Sequence, residues 1–458
     1  MAKSGGPTIG LDIGSSYIKV AEAVPGRSGV TVRAMGVAPT PEGSMENNII
    51  IDSQLLGQAV KKLLKDSGCS SKSSVSSVSG QSALVVRVIE VPRMSDSELA
   101  ETMKWEVERH VPFAANEVIM DFQPIERADT PPDSQNMEVL LAVAQQDMVD
   151  RHVEMLFGAG LTPAAIDVEP LAVSRSLLEL GPDPYGKKTI AMINIGASNT
   201  DIGIFRDGIL AFPRTLPLAG DTFTRAIASQ MGVSPEQAEE LKIKYGEVIL
   251  DQVAQPQAPP ADSFLDFGVP GEEPAEDAKP MPFDFSDAEA EGGTAPVAEA
   301  GTAPAAEAAA APATGPSFDL GDEPPTAASQ LPATVEHHDP TKLQVFSAIA
   351  PVLGELMTEL RRSLEYYRGR AVDGNIDEIL LCGGTSKLKN LDQFLSQELG
   401  IPTRVTNPLQ YTTLATRNFS HEYLEDVAPS FAVAVGLAVR DMVAVPTPAG
   451  AGRGKRKK

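Results

Sequence analysis

Two stretches of this chain read as the same object. "IGLDIGSSYIKVAEA", residues 9–23, and "INIGASNTDIGIF", residues 193–205, each set two short apolar strands around a small polar turn. Gly- and Ser-rich turns let backbone N–H groups converge on an anion and let a phosphate approach the chain closely. One such hairpin is equally well an ordinary β-hairpin with a Gly-Ser turn. Two of them, each in its own α/β domain and facing a shared cleft, would make a clamp on the phosphates of one nucleotide.

The rest of the composition allows that arrangement. A chain of 458 residues is too long for a single core and suits two or three domains. A formal net charge of -24 speaks against nucleic-acid binding, which rests on basic surface. Residues 251–340 hold eighteen acids against one lysine, and fifteen prolines, so this segment carries most of the charge. Such a composition buries too little apolar surface to offset ordering entropy and predicts a disordered acidic Pro/Ala-rich insertion. Within it "LDF" (265–267), "FDF" (283–285) and "FDL" (318–320) are either chance repeats or docking motifs for a partner. Residues 446–458 form a basic tail, either simply solvated or weakly attracted to an anionic membrane. Cys69 and Cys382 lie far apart and show no metal-ligand spacing. The opening "MAKSGGPTIGLDIG" has no signal-peptide core, and "FAVAVGLAV" is too short to span a bilayer, so a cytoplasmic chain without a transmembrane segment is expected.

Strands alternate with helices on both sides of the insertion, which is α/β organisation. "ALVVRVIEV" (83–91) and "MEVLLAVA" (137–144) read as strands, and "SDSELAETMKWEVERHV" (95–111) as a capped helix. Residues 221–246 read as a helical region and 341–370 as a long helix. Within the turns, Asp12 stands beside Gly14, Ser15 and Ser16, where a carboxylate is suited to hold a hydrated Mg²⁺ next to phosphates. Glu239 and Lys242 share one helix face and fit either a ribose contact or a surface ion pair. Gly383 and Gly384 lie between a buried strand and a helix start, where backbone can pass flat against a base or an α-phosphate.

In this order and spacing the pieces resemble the actin-like ATPase superfamily, through "GLDIGSS", "INIGASNTD", "VEPLAV" and "CGGTS". The chain is similar in more detail to the PilM family of type IV pilus assembly proteins, through "SELAETMKWEVERHVPF", "FGAGLTPAAIDVEPLAVSR", "GDTFTRAIA", "AEELKIKYG" and "LCGGTSKLKNLDQFL". The resemblance implies an α/β, two-lobed actin-like ATPase fold with a small inserted α+β subdomain and the disordered acidic insertion. The first lobe would span 1–187 with the subdomain at about 83–165, and the second 188–445, with a C-terminal helix at about 429–443 packing on the first. It also implies ATP with Mg as ligand. Asp12 would be the Mg-associated acid and Gly14, Ser15 and Ser16 the first phosphate turn, with Asn194, Gly196, Ala197 and Ser198 at the second. Glu239 and Lys242 would contact the ribose or adenine, and Gly383, Gly384 and Ser386 the adenosine. Glu169 would orient the attacking water, or else serve as a helix-start carboxylate.

Two departures point to binding with slow or absent hydrolysis. Residue 194 is Asn where hydrolytic relatives usually carry an acid, and Ala197 replaces a common glycine, although Asp201 offers a charge nearby. The function implied is an ATP-binding cytoplasmic scaffold of pilus assembly, held peripherally at the inner membrane. It would dock the N-terminal cytoplasmic peptide of PilN, in a groove framed by "LVVRVIEV" and the helix of Trp105, and link it to motor components. An FtsA- or MreB-like filament former and a small-molecule kinase are the competing readings, and the oligomeric state is left open.

Overall fold

The repeated hairpin seeds both halves of the fold. The computed structural model describes residues 6–26, 29–80, 83–111, 115–127, 130–131, 133–182, 186–252, 339–371, 374–415 and 419–443. In the first lobe Thr8–Ile13 pairs antiparallel with Tyr17–Gly26, which pairs antiparallel with Gly29–Pro39. On its other side Thr8–Ile13 runs parallel to Ser73–Val78, and that strand parallel to Thr162–Val168. In the second lobe Thr189–Ile195 pairs antiparallel with Thr200–Arg206, which pairs antiparallel with Ile209–Leu216. Parallel to Thr189–Ile195 come Glu378–Cys382 and then Thr403–Val405. The same strand order and the same pattern of directions occur twice, so the fold is a duplicated α/β unit.

Helices with clear local signals cover each sheet. Asp52 caps Ser53–Asp66 by accepting from the Gln54 and Leu55 amides at 3.0 and 2.8 Å. Leu56, Val60 and Leu63 of that helix then pack with Met155 and Leu156 against Ile9, Leu11 and Ile18. The second lobe buries one face of Gly220–Met231 and of Pro340–Arg368 against Ile193, Ile202 and Ile379. Among the described residues one helix, Pro340–Arg368, is long and apolar enough to cross a membrane, and half of its most apolar stretch is buried in this core. The helical region expected over 221–246 is two helices, Gly220–Met231 and Pro235–Tyr245. Gly232 takes a left-handed cap at φ 66° and Ser234 opens the second with a capping box.

Two short helices, Glu169–Ser174 and Ala432–Ala438, cross between the lobes. A Cβ at Gly436 would overlap the Ala172 carbonyl, and one at Gly10 the Ala434 carbonyl, so glycine sets how closely these backbones approach. "FAVAVGLAV" is therefore core: Ala432, Val433 and Leu437 join Val75 of the first sheet to Met192 and Leu380 of the second.

Two expected boundaries move. Thr412–Leu414 pairs in parallel with Gly29–Pro39, so the chain is back in the first sheet after Thr403–Val405 and the second lobe does not run to 445. The inserted subdomain is the sheet of Leu84–Pro92, Asn136–Gln145 and Val118–Ile125 with the helix Asp96–His110. It stops near 145 rather than 165, because Gln146–Gly158 buries its apolar face in the first-lobe core and Thr162–Val168 belongs to the first sheet. Residues 253–338, with the "LDF", "FDF" and "FDL" motifs, and the tail 446–458 lie outside the described residues.

Candidate nucleotide site

Both repeated turns close in the same way. The Gly14 N–H donates to the Tyr17 carbonyl at 3.1 Å and the Gly196 N–H to the Asn199 carbonyl at 2.9 Å. Among the described residues none accepts a hydrogen bond from the N–H of Ser15, Ser16, Ala197 or Ser198. Four amides are thus left for an anion or for water. The turns also meet across the cleft: Ser15 Oγ donates to Ser198 Oγ at 3.1 Å.

Below the turns, hairpin register places the charged groups. Asp12 stands opposite Lys19, and Lys19 Nζ donates to Asp12 Oδ2 at 2.8 Å, with side chains 16% and 7% exposed. Lys19 was missed in the sequence, although a cross-strand partner of Asp12 could have been counted off from the turn. The equivalent pair in the second lobe is Asn194 opposite Asp201. Asn194 Nδ2 donates to Glu169 Oε2 at 3.2 Å, and Asp201 Oδ1 accepts from Thr215 Oγ1 at 2.6 Å. Burial first, then the Asp201 and Asp12 charges, push the Glu169 carboxyl well above the usual carboxylate range. Burial raises Asp201 as well. Among the described residues no three acids, histidines or cysteines converge to hold a metal. The donors present fit a divalent ion only loosely: Asp12 is the carboxylate beside the first turn, and it is paired with Lys19.

The second turn is fixed from behind. Its Gly196 carbonyl accepts from the Gly220 N–H at 3.1 Å and from Thr385 Oγ1 at 2.7 Å, and its Ala197 carbonyl from the Asp221 N–H at 2.7 Å. Gly383 has φ 90°, and a Cβ there would meet Asn194 Oδ1 at 2.6 Å. Gly384 is open, with Ser430 Oγ the nearest atom at 3.9 Å from a Cβ. No regular helix follows these glycines directly: a short 3₁₀ turn, Gly384–Lys387, precedes the helix Leu391–Leu399. Ser386 Oγ, buried, donates to the Gly383 carbonyl at 2.7 Å and so holds the loop's shape. Lys242 Nζ donates to Glu239 Oε2 at 2.6 Å, to Thr224 Oγ1 at 2.8 Å and to the Gly220 carbonyl at 3.0 Å. This lysine is tied into the helix behind the turn, whereas the Glu239 side chain keeps 39% of its surface.

Residues 10–256 match the sequence profile of the type IV pilus assembly protein PilM. The chain belongs to this family. A chain of a solved PilM–PilN type IV pilus biogenesis complex is similar with a TM-score of 0.68 and 27% identity, over 95% of this chain and 99% of that one. Residues 191–436 also match the profile of the cell division protein FtsA. FtsA of Pseudomonas aeruginosa is 23% identical over 265 residues, 53% of this chain and 62% of that protein. FtsA of Streptococcus pneumoniae is 26% identical over 267 residues, 54% of this chain and 57% of that protein. The chain thus spans less than two thirds of these curated relatives. The fold is the two-lobed actin-like ATPase fold.

The inserted subdomain of this PilM-family chain meets the second lobe beside the site. Leu84, Val85 and Val86 line a cavity of about 180 Å³ together with Ser79, Glu169 and Asp201. Arg127, buried, pairs through Nε with Glu138 at 2.5 Å, and its Nη2 donates to the Leu210 carbonyl at 3.2 Å. Arg127 escaped the sequence reading because nothing local marks its acceptor. Trp105 lies away from this cavity: Leu99, Met103 and Val107 take the inward face of its helix against Val139 and Leu141, and Trp105 is 69% exposed. Strand and tryptophan therefore do not line this cavity together.

Proposed function

We propose that this chain is an ATP-binding scaffold of the type IV pilus assembly machine. It docks the N-terminal cytoplasmic peptide of the inner-membrane protein PilN, is held peripherally at that membrane by it, and links it to cytoplasmic motor components. What supports the docking is the likeness to a chain of the PilM–PilN complex over 95% of this chain. What supports the nucleotide is the pair of facing turns with unpartnered amides and Lys19 beside the first. In this reading Ser15, Ser16, Ala197, Ser198 and Lys19 bind phosphates, Glu239 the ribose, and the Gly383–Gly384 backbone the adenosine. Asp12 holds Mg through water once Lys19 turns to the phosphates, and the ion would offset phosphate charge.

Turnover is slow or absent, because Glu169 is the carboxyl placed to orient a water. Its ionised form, the one able to take a proton from that water, is disfavoured by burial and by the neighbouring Asp201 and Asp12. The test is to incubate the purified protein with Mg-ATP, desalt it, identify the retained nucleotide, and titrate a labelled PilN N-terminal peptide. Retained ATP with peptide binding is expected. Retained ADP would make the protein a hydrolase, and binding of neither nucleotide nor peptide would overturn the scaffold. The FtsA profile match supports a second reading, an ATP-dependent filament. Sedimentation of the protein with Mg-ATP but not without it would favour that one.

A further inference from the structure

A small hairpin of the first lobe reaches the second turn. Met45–Glu46 pairs with Ile49–Ile50, and the two residues between, Asn47 and Asn48, have φ of 49° and 63°. Two consecutive left-handed residues are the signature of a type I′ turn, which asparagine tolerates. The base of this hairpin is fixed. Ile50 lies in the first-lobe core, its carbonyl accepts from Arg151 Nη1 at 3.3 Å, and the Ser44 carbonyl accepts from the amides of Ile51 and Asp52 at 2.9 and 3.2 Å. The tip lies over the carboxyl ends of the parallel strands Thr8–Ile13 and Ser73–Val78, where open α/β sheets bind ligands.

From that tip Asn48 Oδ1 accepts from Ser198 Oγ at 2.9 Å, and Ser198 Oγ accepts in turn from Ser15 Oγ at 3.1 Å. This chain runs in one direction and uses both hydroxyl hydrogens. Phosphate oxygens only accept. For Ser15 to donate to a phosphate its bond to Ser198 has to open, and for Ser198 to donate its bond to Asn48 has to open. The Asn48 amide nitrogen has no acceptor among the described residues, so it is available to donate once the chain opens. Behind Asn48 lies a small polar space lined by Ser77, Ser79 and His152, and Ser77 Oγ is buried there without a partner.

We propose that Asn48 is a latch on the phosphate site: it holds Ser198, and through it Ser15, so that the two lobes' turns face each other closed until an anionic ligand displaces it. The proposal rests on the nucleotide reading for the identity of the anion, but the latch itself acts in the protein without ligand. Two variants separate its parts. Asn48→Gly keeps the left-handed backbone free of strain and removes the acceptor. Asn48→Asp keeps shape and acceptor and adds a charge that strengthens the bond from Ser198 and repels phosphate.

Hydrogen exchange at the bonded amides of Gly14 and Gly196 in the ligand-free protein, and the association rate of a fluorescent ATP analogue with Mg²⁺, are the two readouts. Asn48→Gly is expected to speed exchange in both turns and to raise the association rate about fivefold, the worth of one neutral hydrogen bond. Asn48→Asp is expected to slow association below the unmodified protein. Unchanged exchange in Asn48→Gly, or association equally fast in both variants, would overturn the latch. If exchange responds but no variant takes up nucleotide, the latch stands and the nucleotide reading falls.

Discussion

Replacing Asn194 with aspartate would put a charge where the fold has arranged a neutral amide. Asn194 Nδ2 lies 3.2 Å from Glu169 Oε2, and Asp201 stands opposite across the hairpin. Aspartate loses the donated hydrogen bond, worth about 1 kcal/mol. Its carboxylate also faces two acids whose titration is already raised by burial and by neighbouring carboxylates. Two unit charges 3.2 Å apart interact by about 5 kcal/mol at an effective dielectric of 20. The disfavoured ionised form of Glu169 removes part of that, so a net loss of about 2–3 kcal/mol is expected, or roughly 5 °C in melting temperature. The sign with pH follows. The new carboxyl's folded pKa is raised above its unfolded one, so the penalty is absent below the unfolded value near 3.9 and complete once pH exceeds the folded value. Thermal melts of Asn194→Asp and the unmodified protein at pH 7.5 and pH 4.5 measure this. The gap should be widest at pH 7.5, should narrow at pH 4.5 towards the pH-independent loss of the hydrogen bond, and should shrink with Mg-ATP at pH 7.5, because a cation now meets a better ligand. A gap that ignores pH would show that the charge is not what acts. No gap would show that residue 194 does not face Glu169.

Glu169→Gln keeps the shape and removes a group whose folded pKa is raised. The natural carboxyl's stabilising contribution is full below about pH 4.5 and lost as pH rises through its folded pKa, so the variant should gain melting temperature over the unmodified protein as pH rises from 4.5 to 8. A constant difference across that range would refute the raised titration of Glu169. Asp12→Ala should leave Lys19 buried without its partner and weaken Mg-ATP binding, seen as a smaller ligand-induced melting shift; an unchanged shift would remove Asp12 from the site. Gly436→Ala should cost about 1–3 kcal/mol by forcing the helix Ala432–Ala438 off the Ala172 carbonyl, and denaturant unfolding would read it. A neutral result there would mean that the two interlobe helices have room to move apart.

What could be read from the sequence was whatever a short window holds. The strands around both turns are legible because apolar residues flank small polar ones, and the helix Asp96–His110 because Ser95 and Glu98 spell its capping box. Gly383 was found for its type, and its φ of 90° is what requires that type. What escaped was set by contacts far along the chain. Arg127 finds its acceptor at Leu210, and Asn48 finds its donor at Ser198, and no local pattern signals either distance. The subdomain boundary was misplaced for the same reason. "QDMVDRHVEMLFGAGL" shows an amphipathic helix, but only packing decides that Met155 and Leu156 face the first-lobe core. Ser386 was assigned by its place in a motif, while its hydroxyl turns inward to the Gly383 carbonyl.

The two copies of the hairpin keep one geometry and divide its chemistry. Each closes its turn with a glycine N–H, and each sets a polar pair across the strands at the same register, Asp12 with Lys19 and Asn194 with Asp201. In the first copy the acid is neutralised by a lysine on the facing strand. In the second the acid has moved to the facing strand, beside Glu169, and burial raises the titration of both carboxyls. Lys19 is the cation beside the first turn. On the proposed reading, a site with amides on two sides and a cation below is arranged to hold an anionic ligand, and it is poorly arranged to cleave one because the ionised form of Glu169 is disfavoured by burial and by its acidic neighbours. Persistent binding of that kind suits a protein whose task is to stay in one conformation while a partner docks, and the closed Ser15–Ser198–Asn48 chain gives the ligand-free protein a way to keep the same two turns together.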